Sequence, residues 1–224
     1  MRDAISTRSG FTLVELLVVI AIIGLLVSLV IPSLGIARGR AQQVVCSGNL
    51  RQMHVGMMQF AADHRGYVPL ACRLSSQRPW EERGQWWTDI GPYLGYENLS
   101  IQPARQPVGT VLSCPADRDN PLSTRRPEHV APSYGMNGMR NLEYPSYAPL
   151  PLQVSIGRTN SEWIVWGDQR GGTILFPNQP WGDPDVARHM LHARHLDEAN
   201  LLLLGGAVRS VPFGHRFPSR MLLP

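Results

Sequence analysis

The sequence predicts an α+β fold in which a long N-terminal helix, hydrophobic and then amphipathic, packs on a small antiparallel β-sheet with long Pro/Gly-rich loops. Three observations carry this. An uninterrupted apolar run follows a short basic leader, apolar residues then recur at helical spacing as far as Phe60, and short apolar bursts separated by Pro and Gly fill the remainder.

The first element starts at Arg8-Ser9-Gly10-Phe11-Thr12-Leu13-Val14-Glu15. From Phe11 to Ile31 Glu15 is the only charged residue. As a helix this stretch spans about 31 Å, enough to cross the hydrocarbon core of a bilayer. A carboxylate inside such a span costs on the order of 2.5 to 3.5 kcal/mol without a partner. Cleavage after Gly10 would create one, because Phe11 would then carry a free α-ammonium. That ammonium on a neighbouring copy, shifted by a short step, can meet Glu15 and so set the register of an assembly.

After Pro32, which removes one helical hydrogen bond and predicts a bend, the pattern continues. Leu34, Ala37, Ala41 and Val45 form one stripe, and Cys46, Leu50, Met53, Met57 and Phe60 a second, slightly rotated one. Arg38, Arg40, Gln42, Gln43, Asn49, Arg51 and Gln52 are assigned to the other faces. Asp63-His64-Arg65-Gly66 should end the helix, with Gly66 as the cap and Pro69 preventing its resumption.

Beyond the helix, Cys72 to Arg83 reads as loop, Trp86 to Leu94 as a short helix or turn, and Asn120 to Leu152 as irregular connections. Trp163–Trp166 and Thr173–Phe176 read as strands. The clearest hairpin is Asn200–Leu204, then Gly205-Gly206, then Ala207–Val211, where a two-residue Gly-Gly link suits a primed turn with both residues at positive φ. Its first strand is apolar throughout, which predicts burial on both faces, with the helix over one of them.

Four segments follow: a leader at 1–10, a transmembrane and assembly stem at 11–31, its amphipathic continuation at 32–66 and a β-rich globular part at 67–224. Without the leader and the apolar run, 193 residues remain, enough for one domain. The formal charge of +4 is spread without basic runs, so no nucleic-acid partner is expected. Arg2 and Arg8 before the span place the leader in the cytoplasm and the C-terminal part across the membrane, in the periplasm. In that oxidising compartment three cysteines, Cys46, Cys72 and Cys114, favour one disulfide, and spacing alone does not choose the pair.

Gly10-Phe11-Thr12-Leu13-Val14-Glu15 resembles the class III signal of type IV prepilins and type II secretion pseudopilins. The resemblance implies a pilin-like fold, cleavage by a prepilin peptidase between Gly10 and Phe11, N-methylation of Phe11, docking guided by Glu15 and a helix-bending role for Pro32. The implied partners are the prepilin peptidase, other pilin or pseudopilin subunits, an inner-membrane assembly platform and the lipid bilayer. The remainder resembles a pseudopilin-like family with a C-terminal His-x9-Asp-Gly pattern. Its echoes are Cys46 to Gln52, Gly66 to Pro69, Cys114 to Asp117, Ser133 to Asn137, and His195 leading to Gly206. After nine intervening residues His195 is followed by Gly205 where that pattern has Asp, and then by the expected Gly206. The resemblance implies a Cys46–Cys114 disulfide, with Cys72–Cys114 as the alternative.

Catalysis finds little support. His189, His192 and His195 form a His-x2-His-x2-His run that could bind zinc, yet no His-Glu-x-x-His arrangement accompanies it. Calcium could use Asp117, Asp119 and Asn120, or Asp183 and Asp185, but both groups lack the ligand series of an EF-hand. Neither metal is assigned, and no cofactor is expected. The expected role is that of a structural filament subunit. A membrane-anchored periplasmic binding protein or hydrolase that uses the same export signal is the rival.

Overall fold

The computed structural model describes residues 12–73, 86–96, 110–117, 132–137, 142–143, 154–169, 174–175, 191–212 and 221. Two compact units, Met1–Gly39 and Arg40–Pro224, divide the chain. The first contains the start of helix α1 (Leu13–Asp63), whose apolar side chains from Leu13 to Ile36 are exposed. This helix carries an 18-residue window of mean hydropathy 3.1, long and apolar enough to cross a membrane. The helix is unbroken through Pro32.

In the second unit α1 becomes one side of a core. Cys46, Leu50, Met53, Met57 and Phe60 are buried, and they cluster with Trp86, Trp163, Val165, Trp166, Leu202 and Leu204. Three assignments of faces change. Val45 is exposed, whereas Gln43 and Asn49 lie on the covered face, because each has a hydrogen-bonding partner there. The helix ends as Gly66 donates its N–H to the carbonyl of Ala61 at 2.7 Å. Arg65 at φ 57° and Gly66 at φ 82° both adopt the left-handed conformation, so Arg65 occupies the position where Gly is usual.

The remaining elements are β1 (Cys72–Arg73), α2 (Trp86–Ile90) with a 3₁₀ turn at Pro92–Leu94, β2 (Tyr134–Asn137), β3 (Leu142–Glu143), β4 (Ile164–Asp168), β5 (Ile174–Leu175), β6 (Glu198–Leu203) and β7 (Val208–Pro212). Among the described residues they form a β1-β3 pair and a five-stranded sheet of order β5-β2-β4-β6-β7. The sheet is antiparallel except for the β2-β5 pair. β2 lies within the stretch expected to be irregular, and β1 within an expected loop. β2 gives no alternating pattern because all four of its residues are buried.

Strand β6 is covered on both faces, as its composition requires. Leu202 and Leu204 join the helix-side core, while Ala199, Leu201 and Leu203 join a second cluster with Ile164, Val211 and Met221. A register shift between Ile164 and Trp166 places Val165 and Trp166 in the same helix-side cluster, the result expected when a bulge interrupts alternation.

The turns distribute differently from the expectation. Gly206 donates to the Leu203 carbonyl at 2.8 Å, so Leu204 and Gly205 form the centre of the β6-β7 turn, and only Gly206, at φ 84°, is left-handed. This is a β-turn followed by a left-handed glycine, not a two-residue primed turn. The primed turn lies upstream. His195 and Glu198 exchange backbone hydrogen bonds of 3.1 and 3.0 Å around Leu196 at φ 52° and Asp197 at φ 65°.

Candidate functional site

Two groups of residues are candidates, one in each unit. In the first, Thr12 and Glu15 form a capping box at the start of α1. The Thr12 hydroxyl accepts the Glu15 N–H at 3.2 Å, and Glu15 Oε2 accepts the Thr12 N–H at 2.8 Å and its hydroxyl at 2.7 Å. Thr-x-x-Glu is a readable signal that gives Glu15 a partner within its own chain. Gly10 and Phe11, the expected cleavage and methylation sites, lie outside the described residues.

In the second unit the loop around Cys114 is fastened to α1 at successive turns. Gln42 Nε2 donates to the Pro115 carbonyl at 3.2 Å, Cys46 is disulfide-bonded to Cys114, and Asn49 Nδ2 donates to the Ser113 carbonyl at 3.0 Å. Positions 42, 46 and 49 share a helix face, which is why these three attachments run along one loop. The alternative Cys72–Cys114 bond does not form, because Cys46 lies 5.3 Å from Cys114, Cα to Cα, and takes up its sulfur.

His195, fully buried, lies against this disulfide. Its Nε2 is 3.4 Å from Cys114 Sγ and 3.4 Å from Asp168 Oδ2. The two sulfurs and a ring nitrogen of His195 lie within 4.8 Å of one another. Asp168 is fixed by the backbone N–H of Asn200, 2.7 Å from Oδ2. Beside them Asp117 pairs with Arg194 at 2.9 Å, both nearly inaccessible to solvent. Burial pushes the Tyr134 phenol well above its ordinary range, and Asn49 Nδ2 donates to its oxygen at 3.2 Å.

A polar chain links this region to the helix. Gln43 Nε2 donates to Glu198 at 2.8 Å and to Ser210 Oγ at 2.9 Å, and the Ser210 hydroxyl donates to Asn200 Oδ1 at 2.8 Å. Gln43 and Arg40 hold the Glu198 carboxyl below its ordinary value.

The expected residues are therefore sorted. His195 is brought to Cys114, and Asp117 faces Arg194. His192 instead donates its backbone N–H to the Asp168 carbonyl at 2.8 Å. His189, Asp119, Asn120, Asp183 and Asp185 lie outside the described residues. Gly205 stands where the resembled His-x9-Asp-Gly pattern has Asp, and the carboxylate 3.4 Å from His195 Nε2 belongs to Asp168 of β4. Asp168 was missed; a single acid ending the apolar run from Trp163 was its only signal. Trp86, Trp87, Trp163 and Trp166 are buried in the core; Trp80 and Trp181 lie outside the described residues.

Comparison with known proteins accords with this geometry. A family profile described as the prokaryotic N-terminal methylation motif matches residues 5–31. The competence protein ComGC of Bacillus subtilis (strain 168) is 35% identical over 70 residues, which are 31% of this chain and 71% of that protein. No solved structure gives a significant match. With the methylation motif at its N-terminus, this relative and a long helix packed on a small sheet, the chain belongs to the prepilin and pseudopilin-like proteins.

Proposed function

We propose that the chain is a structural, non-enzymatic subunit of a type II secretion-like pseudopilus or a type IV pilus. A prepilin peptidase cuts after Gly10 and Phe11 is methylated. Residues 11–31 then hold the subunit in the inner membrane with residues 67–224 in the periplasm, until an inner-membrane assembly platform adds it to the filament. The observation that carries this reading is the methylation motif across residues 5–31, where Glu15 is the one acid and the apolar helical side chains are exposed.

Assembly follows from charge. Both hydrogen bonds from Thr12 engage Oε2 of Glu15, and Oε1 is the oxygen we assign to the α-ammonium of a neighbour's Phe11. Neutralising the acid in this way removes the cost of holding it in the bilayer and makes one stagger between stems preferable to others. Pairing with other subunits is thus favoured over solitary residence.

Glu15→Val tests this. The variant should remain membrane-bound and fail to enter filaments in cells that assemble the wild type. Filaments containing the variant at wild-type levels would contradict the proposal and favour a solitary anchored protein.

A further inference from the structure

We infer that Cys46, Cys114, His195 and Asp168 form a latent zinc site, closed while the two sulfurs are bonded to each other and opened when that disulfide is reduced. Structural zinc is held by four donors at about 2.0 to 2.3 Å, so neighbouring donors in the tetrahedron are roughly 3.3 to 3.8 Å apart. His195 Nε2 already stands at that separation from two of the others, 3.4 Å from Cys114 Sγ and 3.4 Å from Asp168 Oδ2. Cys46 Sγ lies within 4.8 Å of the imidazole nitrogen, so the two sulfurs and His195 make a three-donor group once the sulfurs are released from one another, and Asp168 joins it through its 3.4 Å approach to His195 Nε2.

The surroundings resemble those of a ligand site more than those of a simple staple. A disulfide needs neither an imidazole nor a carboxylate, yet both are fully buried beside this one. Asp168 Oδ1 is buried with no hydrogen-bond partner, an arrangement that costs free energy in a purely structural core. His195 is held there by a primed turn whose central residues, Leu196 and Asp197, both take the left-handed conformation at φ 52° and 65°. The N–H of Asn200 on Asp168 Oδ2 orients the carboxylate, as outer-shell groups do in metal sites.

The chemistry balances with a thiol reductant. A dithiol transfers two electrons and two protons to the Cys46–Cys114 bond and leaves as its own disulfide. The two protein thiols then release their protons as they become thiolate ligands of Zn²⁺. Two soft sulfurs with a nitrogen and an oxygen favour zinc over calcium or magnesium, which prefer all-oxygen sets.

The test uses the full chain in detergent, treated with a phosphine reductant so that no competing thiol is present, and titrated with Zn²⁺ or Co²⁺. The reduced chain should retain one metal per chain through gel filtration, show a thiolate-to-cobalt charge-transfer band, and give X-ray absorption with two sulfur and two lighter donors. The oxidised chain should retain none. Cys72→Ser should bind as the wild type does, whereas His195→Ala and Asp168→Asn should each weaken binding by at least about tenfold. Absence of stoichiometric metal in the reduced wild type, or a zinc shell without two sulfurs, would overturn the inference, and both are read without any variant. Loss of binding in Cys72→Ser would overturn it as well.

Discussion

Arg194 Nη1 and Asp117 Oδ2 form an ion pair 2.9 Å apart in the interior, with side-chain exposures of only 2% and 7%. It ties the segment after Cys114 to the residue before His195. Removing one partner of such a pair strands the other charge, so Asp117→Ala should cost about 3 to 5 kcal/mol, read as a lower midpoint of chemical unfolding. Replacing Asp117 and Arg194 together with Leu and Met should cost much less, because no unpaired charge remains.

Leu196 holds a left-handed backbone at φ 52° with its side chain part exposed. A non-glycine residue there is disfavoured by roughly 1 to 2 kcal/mol, and little apolar burial is lost on truncation. Leu196→Gly should therefore raise the thermal midpoint slightly, by an amount equivalent to about 1 kcal/mol. A drop would show that the turn is held by the side chain.

Gly206 needs its missing side chain for two reasons. Its φ is 84°, and a Cβ there would sit 2.9 Å from His54 Cε1, in a ring whose Nε2 lies 2.9 Å from the Leu204 carbonyl. Gly206→Ala should lose at least about 1 to 2 kcal/mol. Gly205→Ala should lose less, since only moderate contacts of 3.2 and 3.3 Å to Ser161 oppose it.

Tyr134 supplies a pH dependence. Its phenol is held neutral by burial, so its folded pKa is raised above the ordinary value of 10.0. Stability from this group is fully present below about pH 10 and falls as pH rises above that value, where the unfolded chain ionises first. Tyr134→Phe should lose about 0.5 to 1.5 kcal/mol near neutrality, through the Asn49 hydrogen bond, and show a shallower decline at alkaline pH in unfolding curves.

What could be read from the chain followed periodicity. The second helix stripe, Cys46 to Phe60, announced its burial because it repeats at the helical period, and the first strand of the last hairpin did so because its apolar run is unbroken. Gln43 and Asn49 were assigned to outer faces because polarity suggests exposure, whereas partners from distant strands and loops satisfy them inside. Turn chemistry misled in a similar way. Two glycines suggested a primed turn, but that conformation is taken by Leu196, which has no local preference for it, and by Asp197, a residue type that tolerates it. The meeting of His195 with Asp168 rests on β4 and β6 being neighbours in the sheet, which no local pattern encodes. The Thr12–Glu15 cap, three residues apart, carried a local signal that the reading of Glu15 as an acid without a partner in its own chain passed over.

The most direct test of the proposed filament role is the mass of the chain's N-terminal peptide, recovered from membranes of a cell that expresses a prepilin peptidase. Processing and assembly as proposed require that peptide to begin at Phe11 and to carry one methyl group on its amine. A peptide beginning at Met1 from membrane-localised protein would contradict the central claim, because the ammonium assigned to Glu15 would not exist.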